Sequence, residues 1–128
     1  MGNGTSIGKV RGLGAAHEGA HHWLVQRFTA IGNLILSVWL IGSFLWLPDF
    51  SYDTVIGWLE RPLSSTIMIL FVVSTFWHAR LGLQVVVEDY VHQPGSKFAA
   101  LAALNLISVG SVVFAVFCIT KIAIGGSI

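Results

Sequence analysis

The sequence predicts an all-α integral membrane protein with three transmembrane helices in one domain. Three observations carry this. Hydrophobic residues make up 55% of the 128 and charged residues only 10%, which is more apolar surface than a soluble domain of this size can cover. Mean hydropathy is +0.78. Three apolar runs, each long enough for a hydrocarbon core of about 30 Å, are separated by short stretches holding Pro, Gly and charge. A net charge of +1 gives no reason to expect nucleic acid or an acidic substrate as partner. The single cysteine, Cys118, excludes an internal disulfide and a Cys cluster.

Residues 1–22 read as a Gly-rich polar tail with Lys9 and Arg11, leading into an interfacial segment. Met1-Gly2-Asn3-Gly4-Thr5-Ser6 fits the loose N-myristoylation pattern, which spanning helices would make redundant. A cleavable signal peptide is not expected, because the first apolar run starts late and is too long for an h-region. The lack of an Arg- and Ser-rich transit peptide favours a bacterial inner membrane, with the mitochondrial inner membrane as the alternative.

The first span is expected over about 23–47. Phe28 to Leu47 carries no charge, and about 20 residues at 1.5 Å each match the hydrocarbon core. Trp23 and Trp46 stand near its two ends, as interfacial aromatics do. Asn33 and Ser37 share a face that points at protein. Pro48-Asp49 ends the helix.

A polar loop over 48–62 places Trp58 at the membrane surface. The second span is expected over about 63–91, and His92-Gln93-Pro94-Gly95 reads as a stop and turn. The third covers about 98–124, before Gly125-Gly126. Lys9, Arg11, Arg27 and Lys97 fall on one side, Arg61 and Lys121 on the other. The positive-inside rule therefore places the N-terminus in the cytoplasm. Asp89 and Tyr90 then emerge at the cytoplasmic surface. Three helices offer few partners for the polar groups they carry, so the chain is expected to pack against another membrane subunit.

Ionisable residues inside a span are costly and mark function by default. His78 is the first of them. It reads either as a neutral histidine bonded to a neighbouring helix or as an axial ligand to haem iron, for which neutral imidazole on a rigid helix is suited. Ser74 and Gly82 lie four residues to either side and leave room for a porphyrin. As the only histidine within a span, His78 would need its second axial ligand from a partner.

Arg80 stands about 200° round the helix from His78. It reads as a snorkelling residue, as the partner of a carboxylate on another helix, or as the partner of a propionate; the offset counts against the last. Asp89 comes eleven residues after His78, close to three turns, which returns it to the same face about 16 Å along the axis. With Tyr90 it forms either an interfacial helix end or a quinone contact. Arg27 reads as an interfacial anchor or as the partner of a propionate.

His17-Glu18-Gly19-Ala20-His21 matches the H-E-x-x-H zinc-hydrolase pattern, with Gly19 inside it and no third ligand assured. Asn105 and Cys118 read as packing and hydrogen-bonding residues. Ser108, Gly110 and Ser111 read as a helix contact.

His78-Ala79-Arg80-Leu81-Gly82-Leu83-Gln84-Val85-Val86-Val87-Glu88-Asp89-Tyr90-Val91 resembles the H-A-x-x-G-[ML]-x-x-[VI]-x-x-D-Y-[VI] signature of the small hydrophobic membrane anchor of succinate dehydrogenase (respiratory complex II). His22-Trp23-Leu24-Val25-Gln26-Arg27-Phe28-Thr29-Ala30-Ile31 resembles the same family's H-[WF]-x-x-[QV]-R-x-T-A-[IV] motif at the start of the first span. The resemblance implies that His78 is one axial ligand of haem b and that the larger of the two membrane anchors supplies the other. It implies that Tyr90 hydrogen-bonds a ubiquinone carbonyl with Asp89 in support, and that Arg27 approaches a haem propionate. It further implies an iron–sulfur subunit and a flavoprotein subunit that oxidises succinate. The resemblance leaves both the role of Arg80 and the quinone type open. Two rivals are a cofactor-free assembly or scaffold protein and a zinc-dependent hydrolase built on His17 and His21.

Overall fold

The computed structural model describes the backbone of residues 16–126 and the side chains from residue 19 onward. The myristoylation pattern at Met1–Ser6 and the tail residues Lys9 and Arg11 lie outside the described residues, as do the side chains of His17 and Glu18. Four helices follow in order: α1, Ala16–Trp46; α2, Tyr52–Leu59; α3, Pro62–Tyr90; and α4, Pro94–Ala123. Among the described residues there is no strand. Three of the helices are long and apolar enough to cross a membrane, in agreement with the fold class the sequence predicts.

Helix α1 already runs at Ala16, the first described residue, inside the stretch whose composition reads as tail. Ala16 and Ala20 are strong helix formers, and a span that is already helical propagates outward at little cost. Its 31 residues run about 46 Å, longer than a hydrocarbon core. Helices α3 and α4 both start with proline at the first helical position, after Arg61 and Gln93 in extended backbone. Pro fits there because its missing N–H would be unpaired anyway and its fixed φ suits the helix. Pro94 therefore starts α4, and the turn between the spans is only 91–93. Helix α4 stops at Gly125, whose φ of +77° is left-handed and strains any residue with a Cβ. Gly126 N–H then reaches back to the Lys121 carbonyl at 2.8 Å and Gly125 N–H to Ile122 at 2.9 Å, which closes the helix end.

Helix α2 lies within the segment expected as loop. Its N-cap is Ser51, in extended backbone, whose hydroxyl accepts from Thr54 N–H. Asp49 supports the cap by accepting from Ser51 N–H at 3.0 Å and from Ser51 O–H at 2.6 Å. The Ser51 hydroxyl, with Thr54 and the Ser51 amide, lowers the Asp49 pKa to about 2. Trp58 is only 6% exposed, packed into the bundle by its neighbours. Its ring stacks on Trp39 at 5.7 Å and meets Phe44 at 5.4 Å. Phe44 in turn meets Phe50 edge-on at 6.0 Å. Aromatic faces and edges attract at these separations, and the cluster pins α2 across the end of α1.

Helix α3 is central. It packs against α1 on one side and α4 on the other, while α1 and α4 do not approach one another. The α1–α3 register is antiparallel and steady. Gly32 faces Ser74, Asn33 meets Thr75 at 3.5 Å, and Thr29 meets His78 at 3.0 Å. The Trp58 end is the well-packed one, with Ser64, Ser65, Ile119 and Ile122 buried near it. Toward the Tyr90 end burial thins to Leu81 and Ser108. Exposed Leu24, Phe28, Ile31, Leu34, Ile35 and Val38 cover the outer side of α1, as in a helix facing lipid or another membrane protein.

Candidate functional site

His78 sits past the middle of α3, about 18 Å along the axis from Tyr90 and about 24 Å from Pro62. Its ring is half-buried. Nδ1 lies 3.0 Å from the Thr29 hydroxyl on α1. That hydroxyl is also 2.9 Å from the Val25 carbonyl and 3.0 Å from the Gln26 carbonyl, as is usual for a threonine bonding back one turn within a helix. Nε2 has no hydrogen-bond partner among the described residues. The imidazole is thus held by one nitrogen and open at the other, which is the donor arrangement of a metal-ligating histidine.

Ser74 and Gly82 both lie on the side of α3 that faces α1. A Cβ on Gly32 would lie 3.7 Å from the Ser74 hydroxyl, and one on Gly82 would lie 3.9 Å from Gln26 Nε2. Both small residues are where α1 approaches α3. Next to them, Gln26 Oε1 is buried without a hydrogen-bond donor among the described residues, and such a group costs free energy until something donates to it.

Arg80 turns to the opposite side, as its angular offset requires. Its Nε–H donates to Asn105 Oδ1 on α4, and its guanidinium lies 5.5 Å from the centroid of the Trp77 ring. Among the described residues no carboxylate pairs with it. An apolar groove of about 180 Å³ runs beside it between Val73, Phe76, Val109 and Val113.

Arg27 is exposed, with its guanidinium 5.0 Å from the Trp23 ring. It stands at least eleven residues inside α1. It precedes Thr29 by two residues, which puts it within about 3 Å of His78 in depth. Gln26, Arg27, Thr29, His78, Arg80 and Asn105 therefore form one polar layer across three helices. The layer holds two cations and, among the described residues, no anion to balance them.

Asp89 and Tyr90 end α3, which runs unbroken from Pro62, so Asp89 does share the face of His78. Tyr90 is 77% exposed. Neither side chain has a hydrogen-bond partner among the described residues, whereas Glu88 accepts from Gln84 Nε2 at 2.9 Å. The His17–His21 motif stands in helical backbone. Among the described residues no group of three or more His, Cys, Asp or Glu side chains gathers at a metal-binding spacing.

Sequence reasoning gave Thr29 and Gln26 no role beyond their places in the first-span motif and did not pair Arg80 with Asn105. Thr29 left two signals, a fixed position in that motif and a hydroxyl inside an apolar run, but the second alone reads as a back-bonded helix residue. The pairings depend on the register between helices, which no single span reveals.

The fold and this layer define a class: a three-span helical membrane protein that keeps an open imidazole and two guanidinium groups at one depth. The chain belongs to the succinate dehydrogenase/fumarate reductase transmembrane subunit family, whose family model matches residues 1–117. It is similar to the succinate dehydrogenase hydrophobic membrane anchor subunit of Rickettsia bellii, 34% identical over 109 residues that cover 85% of this chain and 87% of that one. The protein of the same description from Rickettsia conorii is 32% identical over 110 residues, covering 85% and 87%. That of Paracoccus denitrificans is 24% identical over 116 residues, covering 91% and 89%. The chain is accordingly a multi-pass membrane anchor of this family.

Proposed function

We propose that this chain is the small anchor of a succinate:quinone oxidoreductase, that it holds haem b jointly with a larger membrane anchor, and that it contributes to the ubiquinone reduction site. The observation that carries the reading is the His78 imidazole, engaged at Nδ1 and, among the described residues, without a partner at Nε2, on a helix long and apolar enough to span a membrane. Neutral imidazole is a haem-iron ligand, and a second ligand comes from the larger anchor. Bound haem supplies one-electron storage at a potential that its ligands and surroundings tune.

The other residues take roles consistent with their positions. Arg27, at the depth of His78 and without a carboxylate among the described residues, pairs with a haem propionate. Tyr90 donates a hydrogen bond to a quinone carbonyl, and Asp89 supports it; both are exposed at the end of α3, where a neighbouring protein can complete a pocket. The open Tyr90 end, with the N-terminus, faces the cytoplasm of a bacterial inner membrane. There electrons arrive from an iron–sulfur subunit, and succinate is oxidised on a flavoprotein subunit, so this chain belongs to the enzyme without carrying the succinate chemistry.

The test is the optical spectrum of the purified complex together with two activities. His78→Ala removes or alters the haem spectrum, and an unchanged spectrum at full occupancy refutes the ligand role. Tyr90→Phe impairs succinate–quinone activity and retains succinate–dye activity. Equal loss of both removes Tyr90 from the quinone site. A complex with no Soret band supports a cofactor-free scaffold instead.

A further inference from the structure

We propose that Thr29 is the positioning residue for His78, fixing its tautomer and strengthening Nε2 as a donor. This rests on the ligand role proposed above.

The argument is a count of protons. The Thr29 hydroxyl has one proton and three neighbours in range: the carbonyls of Val25 and Gln26 at 2.9 and 3.0 Å, and His78 Nδ1 at 3.0 Å. Carbonyl oxygens only accept. If the hydroxyl proton points at either carbonyl, His78 Nδ1 must carry a proton and donate it to Thr29 Oγ1. Two hydrogen bonds then form, and the atom left open is the Nε2 lone pair. If the hydroxyl donates to Nδ1 instead, only one bond forms. Oγ1 then faces two carbonyl oxygens at contact distance with no proton between them, and an Nε2–H donor is left unpaired in an apolar span. The first arrangement makes more bonds and strands the weaker group.

The first arrangement is also the one a metal ligand requires. A proton on Nδ1 leaves the Nε2 lone pair free, and donation from Nδ1 raises the electron density at Nε2. The helix supplies the constraint, since Thr29 is held by the α1 backbone, and α1 and α3 meet again one turn on, with Gly32 beside Ser74 and Thr75 bonded to Asn33. Thr29 therefore acts through His78 and touches no substrate.

The test compares Thr29→Val, Thr29→Ser and His78→Ala in the assembled complex, read by haem content, midpoint potential and low-spin electron paramagnetic resonance. Valine keeps the shape and branching of threonine without the hydroxyl. It is expected to weaken haem retention by about ten-fold or more, to raise the midpoint potential, because a weaker donor favours the ferric state less, and to change the resonance as the ring is freed. Serine keeps the hydroxyl and is expected to restore all three. His78→Ala is expected to lose the axial signature altogether.

Parental potential and resonance in Thr29→Val, beside a lost signature in His78→Ala, overturn the role of Thr29 and leave the ligand assignment standing. A parental signature in His78→Ala overturns both. If Thr29→Val fails to assemble, Thr29→Ala takes its place beside Thr29→Ser: a shifted potential in alanine with parental values in serine sustains the proposal, and a parental potential in alanine, or a shifted one in serine, overturns it.

Discussion

Replacing Trp58 with alanine separates what holds the bundle together from what performs at the polar layer. Trp58 is 6% exposed and touches two aromatic rings, Trp39 at 5.7 Å and Phe44 at 5.4 Å. Each aromatic pairing is worth about 0.5–1.5 kcal/mol beyond area burial, so roughly 1–3 kcal/mol rests on the pair geometry. Buried Trp→Ala changes cost about 3–5 kcal/mol in water-soluble cores. Lipid or detergent refills part of a site at the bundle's edge, which puts the expected loss near about 3 kcal/mol, the low end of that range. Trp58→Phe keeps a ring against both neighbours and should recover more than half of it. The assay is reversible unfolding in mixed micelles by graded denaturing detergent. The haem spectrum should be parental in the folded fraction, because Trp39 lies ten residues beyond Thr29, about 15 Å along α1. A loss below about 1 kcal/mol for Trp58→Ala would show that α2 is not clamped by this cluster. A haem spectrum that changed in the folded fraction would show that the two ends of the bundle are coupled.

Asn105→Leu removes the acceptor of Arg80 Nε–H and should destabilise the chain by about 1–3 kcal/mol in the same assay; Arg80→Leu added to it should restore part of the loss, and strict additivity would refute the pairing. Gly32→Leu should drive α1 from α3, since even a Cβ at Gly32 lies 3.7 Å from Ser74. Gly32→Ala, by contrast, should be neutral or stabilise by about 0.4–1 kcal/mol. The Asp49 carboxyl has its pKa lowered from 3.8 to about 2 by the Ser51 hydroxyl first, then by Thr54 and the Ser51 amide. A depressed carboxylate stabilises the fold above its unfolded pKa and loses that contribution as pH falls through its folded one. Asp49→Asn should therefore flatten the acid limb of the unfolding curve between about pH 4 and 2, and an unchanged limb would refute the cap.

The three spans were legible because the signal lies in composition: an apolar run as long as the bilayer is thick has few other uses. Helix α2 was not. Tyr52–Leu59 is eight residues long and sits among polar neighbours, so neither length nor periodicity marks it. Ser51 as N-cap with Asp53 in the first turn was the available clue. Trp58 was expected at the membrane surface because a tryptophan near a span end usually lies there. Its partners Trp39 and Phe44 belong to another helix, and sequence gives no distance between them. Composition placed Arg27 at the start of a span, and α1 already runs at Ala16; that Arg27 shares the depth of His78 depends on the α1–α3 register, which the sequence does not give.

The geometry of a single helix explains why one stretch of α3 can serve two neighbours. Residues two apart diverge by about 200°. A central helix therefore offers His78 to α1 and Arg80 to α4 with one residue between them. Each side chain meets one polar partner on the helix it faces, Thr29 in one case and Asn105 in the other. The consequences differ because the side chains differ. A guanidinium has five donors and no acceptor, so one amide oxygen leaves most of it unsatisfied, and the Trp77 face is a partial substitute. An imidazole has only two nitrogens, so one hydroxyl at Nδ1 satisfies half of it and leaves Nε2 as a directed, open donor. Moving the histidine to the position of Arg80 would turn it toward Asn105, whose amide can donate or accept, and the tautomer would no longer be dictated. Thr29 has no such freedom, because its one proton is drawn to its own helix by the carbonyls of Val25 and Gln26. The hydroxyl that reads as bland in the sequence is therefore the group best suited to leave Nε2 unprotonated.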